Sequence, residues 1–185
     1  MEPMLVSFLG GDRGQWSVDR MLTVIGAGLQ PVQRVAILEG SDGVHVASHT
    51  TWVLRGVTSH DRYVAAEERT ALAAHRAPLG RPSATAAALI PIRKKSVWWE
   101  LPQDERRAIF EERSHHIARS LTYLPQIARR LHHGRDLLEP FDFLTWFEFA
   151  PRDMAAFDEL VGILRSTEEW TYVEREVDIR LTRAS

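Results

Sequence analysis

The chain has 185 residues, 44% hydrophobic and 26% charged, with a formal net charge of −2. That composition suits a soluble globular protein with one large domain or two small halves, and the near-zero charge leaves no electrostatic footprint for nucleic acid or an anionic membrane. There is no cysteine, which excludes disulfides, thiol nucleophiles, zinc–thiolate sites and iron–sulfur clusters.

The first residues, Met1-Glu2-Pro3-Met4, carry an acid where a signal peptide would be basic. No run approaches the roughly 20 apolar residues of a membrane span. A cytoplasmic protein is expected, or a periplasmic one if a leader has been trimmed. Residues 5–9 form a short apolar run ended by Gly10-Gly11. Residues 17–29 read as a helix with Met21, Leu22, Val24, Ile25 and Leu29 on its apolar side. Residues 32–38 and 44–57 read as strands, 61–75 as a helix exposing Glu67, Glu68 and Arg69, and 85–92 as an apolar strand.

Pro102 opens a helix expected over 104–122. Residues 124–133 and 141–149 read as strands, and Pro151-Arg152-Asp153 opens a helix that ends near 166. Residues 172–181 alternate and close the chain as a strand. Behind the strand ending near Ile92, this order is ferredoxin-like, and the first half reads as a looser copy. An α+β fold follows, with its internal boundary in residues 80–95 and two antiparallel sheets brought together under outer helices.

Among the eight histidines, two stand on the 104–122 helix. With about 100° between successive residues, Ile109, Phe110, Ile117 and Leu121 share a sector; His116 lies beside it and His115 nearly opposite. His116 therefore faces the interior, either as a boundary histidine or as a ligand. On the next strand Ile127, Arg129, Leu131 and His133 share one face, opposite Ala128, Arg130 and His132. On the strand after it Phe141, Phe143, Thr145, Phe147 and Phe149 share a face, opposite Asp142, Leu144, Trp146 and Glu148. If Arg129 lies against Thr145 and Phe147, its charge needs compensation worth several kcal/mol. An anion in a pocket supplies it; so would a pair with Glu148 or Asp142, or exposure. A metal site at His132-His133 near Asp136 is disfavoured, because adjacent strand residues point to opposite faces.

These residues resemble the chlorite dismutase family. The resemblance rests on Ala87-Ala88-Leu89-Ile90-Pro91-Ile92 with Lys94, Trp98-Trp99, His116, Arg129, the stretch Phe141-Asp142-Phe143-Leu144-Thr145-Trp146-Phe147-Glu148, and Glu168-Glu169-Trp170-Thr171-Tyr172-Val173. It covers about residues 53–181, and the short first half is similar to the compact, dimeric branch of the family. It implies a dimeric α+β barrel of two ferredoxin-like halves, a truncated one at 1–93 and a haem-binding one at 94–185, with one haem b and a homodimeric state. His116 is the implied iron ligand. Arg129 stands thirteen residues beyond it, the family's spacing from proximal histidine to distal arginine, whereas the same step from His115 reaches Ala128.

By the same resemblance Glu169, or Glu168 beside it, is the carboxylate partner of the histidine. Lys94 and, more weakly, Tyr63 are expected at the haem propionates, and Trp98 and Trp99 at the haem edge. Ile127, Leu131, Thr145 and Phe147 are expected around the pocket, and Arg129 is the expected catalytic residue. The implied reaction is conversion of chlorite to chloride and dioxygen. The alternatives are a haem-synthesis enzyme of the coproheme decarboxylase kind, against which Arg129 argues, and a non-catalytic haem-binding protein.

Overall fold

The computed structural model describes residues 3–40, 49–58, 70, 77–123 and 126–184. Eight strands close into one barrel: β1 (Leu5–Gly11), β2 (Trp16–Ile25), β3 (Arg34–Glu39), β4 (Thr50–Thr58), β5 (Ala86–Lys94), β6 (Ala128–His133), β7 (Phe143–Phe149) and β8 (Val173–Arg183). Their order around the barrel is β1-β3-β2-β8-β5-β7-β6-β4, which closes on β1. The fold is thus α+β, as expected. The two sheets, however, join edge to edge through β2–β8 and β4–β6 rather than stacking as separate layers. Two of the seams are short: β2 meets β3 only at Trp16 and Ser17, and β4 meets β6 only at Val57 and Thr58.

Alternation sorts the strand side chains between two cores. Inside the barrel lie Val6, Phe8, Trp16, Val35, Leu54, Ala87, Leu89, Leu144, Trp146, Val177, Ile179 and Leu181. Outside, Ala86, Ala88, Ile90, Ile92, Phe147 and Phe149 pack with the buried side of a long helix whose inner residues are Phe157, Leu160, Val161 and Leu164. Phe141 precedes β7 and belongs to the barrel core, not to the face of Phe143 and Phe147.

The helices are α1 (Ser96–Glu100), α2 (Gln103–Arg107), a π-helical turn (Ala108–Arg113), α3 (His116–Leu121) and α4 (Met154–Arg165). No described helix is long and apolar enough to cross a membrane. Under α4 the outer face of β8 is charged. Arg165 donates to Glu176 at 2.8 and 2.5 Å and to Asp178 at 3.0 Å, while Arg180 bonds Asp178 and reaches Asp158 at 2.7 Å. Both carboxylates at the centre are 0% exposed, so this is a buried network, satisfied on both sides.

Three sequence expectations change. Residues 17–29 are not a helix: β2 crosses this stretch with register shifts between Val18 and Arg20 and between Thr23 and Ile25. Each shift offsets the alternation, so the half-buried Val18, Met21 and Ile25 recur three and four residues apart, a spacing close to helical. The helix of 104–122 is broken, because Ser114 ends the π-helical turn and His115 takes a left-handed backbone (φ 53°) before α3 begins. The strand of 44–57 begins only at Thr50 among the described residues. Of the expected helix of 61–75 only Thr70 is described, and it is helical; Tyr63 lies outside the described residues.

Candidate haem site

His116 is the first residue of α3, and the break before it decides where it points. His115 is exposed, whereas the His116 side chain is 15% exposed and its ring stacks on Phe110 with centroids 4.4 Å apart. The inward role of His116 therefore does not come from a continuous helical stripe. It comes from the left-handed residue that re-aims the chain.

His116 Nδ1 lies 2.8 Å from Glu169 Oε2. Glu169 belongs to a 3₁₀ turn (Glu168–Tyr172) and is 5% exposed, whereas Glu168 is exposed and faces Arg113 at 3.4 Å. The choice between the two glutamates thus falls on Glu169. Its other oxygen, Oε1, accepts from Lys94 Nζ at 2.7 Å, and its backbone N–H donates to Ser114 Oγ at 3.0 Å. Burial alone would raise the pKa of this carboxyl. The positive Lys94 and the bond to His116 outweigh burial and hold it well below the usual carboxylate range. An ionised carboxylate only accepts, so Nδ1 of His116 donates the proton of this bond. Among the described residues nothing bonds to Nε2.

The Lys94 amine pairs with Glu169 and lies over the Trp98 ring at 4.6 Å, with the residue only 4% exposed. A register shift between Arg93 and Lys94 at the end of β5 leaves Arg93 exposed and buries Lys94. Trp98 is a core residue, 1% exposed, packed on Tyr172 at 5.3 Å. Trp99 stacks on Phe143 at 5.8 Å beneath Arg135, whose guanidinium lies 4.0 Å from the ring centre.

Arg129 stands directly across from Phe147, and Leu131 across from Thr145. The other neighbour of Thr145 is Ile90, and that of Phe143 is Ile92. Arg129, Leu131, Thr145, Phe147 and Ile90 therefore share the outer, helix-side face. The carboxylates considered as partners for Arg129 are engaged elsewhere. Glu148 faces the barrel side with Trp146, accepting from Trp146 Nε1 at 3.0 Å and the Gly80 N–H at 2.6 Å. Asp142 accepts from the Lys94 N–H at 2.8 Å and lies 3.5 Å from Arg135. Ile127 is sealed at 0% exposure with Phe147, Phe149 and Phe157, a wall beneath α4 rather than an open pocket lining. His132 points into the barrel and donates to the Leu144 carbonyl at 2.9 Å, whereas His133 packs on the outer-face Phe143.

These residues suit a porphyrin better than a bare ion. A protein-only metal cage needs several donors, and no group of three or more His, Asp or Glu residues placed to hold an ion occurs among the described residues. A porphyrin supplies its own equatorial nitrogens and asks for one axial imidazole, with a carboxylate behind it to fix the tautomer.

The chlorite dismutase family model matches residues 13–185. A crystal structure of dimeric chlorite dismutase from Nitrobacter winogradskyi is similar to this chain with a TM-score of 0.90 and 59% identity, covering 97% of this chain and 99% of that one. A cyanide complex of a mutant chlorite dismutase from Candidatus Nitrospira defluvii shares the fold, with a TM-score of 0.69 and 21% identity over 98% of this chain and 91% of that one. The curated chlorite dismutase of Ideonella dechloratans is 33% identical over 86 residues, which span 46% of this chain and 28% of that protein.

Proposed function

Because the chain belongs to the chlorite dismutase family, we propose that it is a haem b enzyme that converts chlorite to chloride and dioxygen and works as a homodimer. The observation that carries this reading is the buried Lys94–Glu169–His116 relay, which ends in an imidazole Nε2 with no described partner. The homodimer rests on likeness to the dimeric Nitrobacter enzyme.

His116 would hold the haem iron, and Glu169 would keep the ring oriented and its imidazole electron-rich. Lys94 neutralises Glu169, so the buried group as a whole adds little net charge. The haem supplies the redox chemistry at oxygen. The overall conversion needs no outside reductant: both oxygens of chlorite leave as dioxygen, and the electrons they lose are those chlorine gains in becoming chloride.

Arg129 would bind and orient the anion. Its guanidinium stays charged at any working pH and offers several N–H donors in a fixed plane. Phe147, directly across from it, and Ile90, farther along the same face, are 7% and 5% exposed and keep water low there. In such surroundings a fixed positive charge holds a small anion far more strongly than in water.

The test is to load the purified protein with haem b, add chlorite, and measure chloride and dioxygen together. One of each per chlorite supports the reaction. A protein that binds haem through His116 but consumes no chlorite rejects it. Formation of haem b from added coproheme and peroxide would move the assignment to haem synthesis.

A further inference from the structure

The sequence offers α3 no conventional cap. The residue before it, His115, is in the left-handed region and makes no side-chain capping bond. The first amides of the helix are nevertheless satisfied. Glu111, a full turn earlier in the π-helical segment, sends its carboxylate across the break. Its Oε2 accepts from the Ile117 N–H at 2.6 Å and its Oε1 from the Ala118 N–H at 3.2 Å. Glu111 and Ile117 are 9% and 2% exposed, so the bond to Ile117 is sheltered from water.

The Ile117 N–H belongs to the peptide unit that leaves the His116 Cα. The carbonyl of that same unit, His116 O, accepts from Ser120 Oγ at 2.7 Å. The peptide is therefore held at both ends, by Glu111 on the N–H and Ser120 on the oxygen. The neighbouring Ser114, 1% exposed, ties the break to the 3₁₀ turn that carries Glu169. Glu169 fixes the ring, and these groups fix the backbone from which the ring projects.

We propose that Glu111 is a positioning residue for the axial histidine: its carboxylate clamps the peptide after His116 and so sets where Nε2 points in the haem site. The inference deepens the reading of His116 as iron ligand and rests on it. A π-helical turn and a left-handed non-glycine residue are unfavourable features that persist where the surroundings over-determine them. Here they are what brings Glu111 back over the α3 amides. Truncating Glu111 removes the acceptor of the buried Ile117 amide and of the more exposed Ala118 amide and frees the His116 peptide to rotate, while Glu169 still pulls on Nδ1. The expected result is a histidine that is present but misaimed.

The test compares wild type, Glu111→Ala, Glu111→Gln and His116→Ala, each loaded with haem b. The readouts are the iron–histidine stretching band of the ferrous protein in resonance Raman and the rate of haem transfer to apomyoglobin. Glu111→Ala should shift or broaden the band and speed haem loss roughly tenfold or more, in line with changes to the groups that orient a ligand. Glu111→Gln keeps one acceptor oxygen and should fall between, which makes it decisive if the alanine variant does not fold. A wild-type band and transfer rate in Glu111→Gln and in any folded Glu111→Ala would overturn the proposal. If wild type itself shows no iron–histidine band, or His116→Ala keeps it, the axial-ligand reading has failed and this inference goes with it.

Discussion

Glu169 and His116 stand 53 residues apart in the chain and meet through a single 2.8 Å hydrogen bond, from Nδ1 to Oε2. Lys94 closes the far side of the carboxylate at 2.7 Å, so three elements distant in sequence share one buried charge pair and one imidazole. Glu169→Gln keeps the shape and removes the negative charge. Lys94 is then a buried cation without a counter-charge, and the apoprotein should lose about 3–5 kcal/mol of stability in denaturant titrations. In the haem-loaded protein the ferric–ferrous potential should rise, because a neutral amide leaves the imidazole less electron-rich. An unchanged potential in spectroelectrochemistry would remove Glu169 from the proposed role.

His132 makes stability depend on pH. Burial is the main cause that pushes its pKa down to about 4 from 6.5; the bond to the Leu144 carbonyl opposes this only in part, and nearby Arg130 adds to the lowering. The folded protein therefore holds His132 neutral while the unfolded chain protonates it. The contribution is complete above pH 6.5 and is lost as pH falls through that value toward 4, amounting to about 3 kcal/mol at the low end. His132→Gln should flatten this part of the profile in urea unfolding between pH 7 and 4. An equal slope in the variant would contradict the assignment.

Barrel closure at β4–β6 needs a bare backbone at Gly56. A Cβ there would lie 2.7 Å from His132 Cβ and 3.2 Å from the His132 backbone carbon. Gly56→Ala should cost about 1–3 kcal/mol through overpacking, read as a lower melting temperature.

Arg165 neutralises Glu176 and Asp178 beneath α4. Arg165→Ala leaves two fully buried carboxylates short of one cation and should destabilise by about 3–5 kcal/mol. Because Trp170 Nε1 also donates to Glu176 at 2.8 Å, the turn that carries Glu169 should loosen, which hydrogen exchange of residues 168–172 would report.

Individual strands were legible where a run was apolar throughout, as in β5, or strictly alternating, as in β7. Strand character was hidden in β2, where two register shifts gave Val18, Met21 and Ile25 a helix-like spacing. The break at His115 left no trace, since neither glycine nor proline marks it. The family spacing points to His116, whereas the continuous helical wheel that sets it apart from His115 is interrupted in the structure by the left-handed residue. Glu168 and Glu169 are equivalent to any sequence pattern, and only the 3₁₀ turn buries one and exposes the other. The placement of Lys94 depends on the shift at the end of β5. Glu111 resembles a solvated acid on a charged helix and acquires its role only through the π-helical turn.

The most direct test of the account is oxygen evolution after chlorite is added to the haem-loaded wild type and Arg129→Ala, side by side. The account predicts a fast burst from wild type, stoichiometric with chlorite. It predicts full haem retention in the variant with turnover lower by roughly a hundredfold, the scale for removing one preorganised electrostatic group. A variant that evolves oxygen as fast as wild type, or a haem-loaded wild type that evolves none, would contradict it.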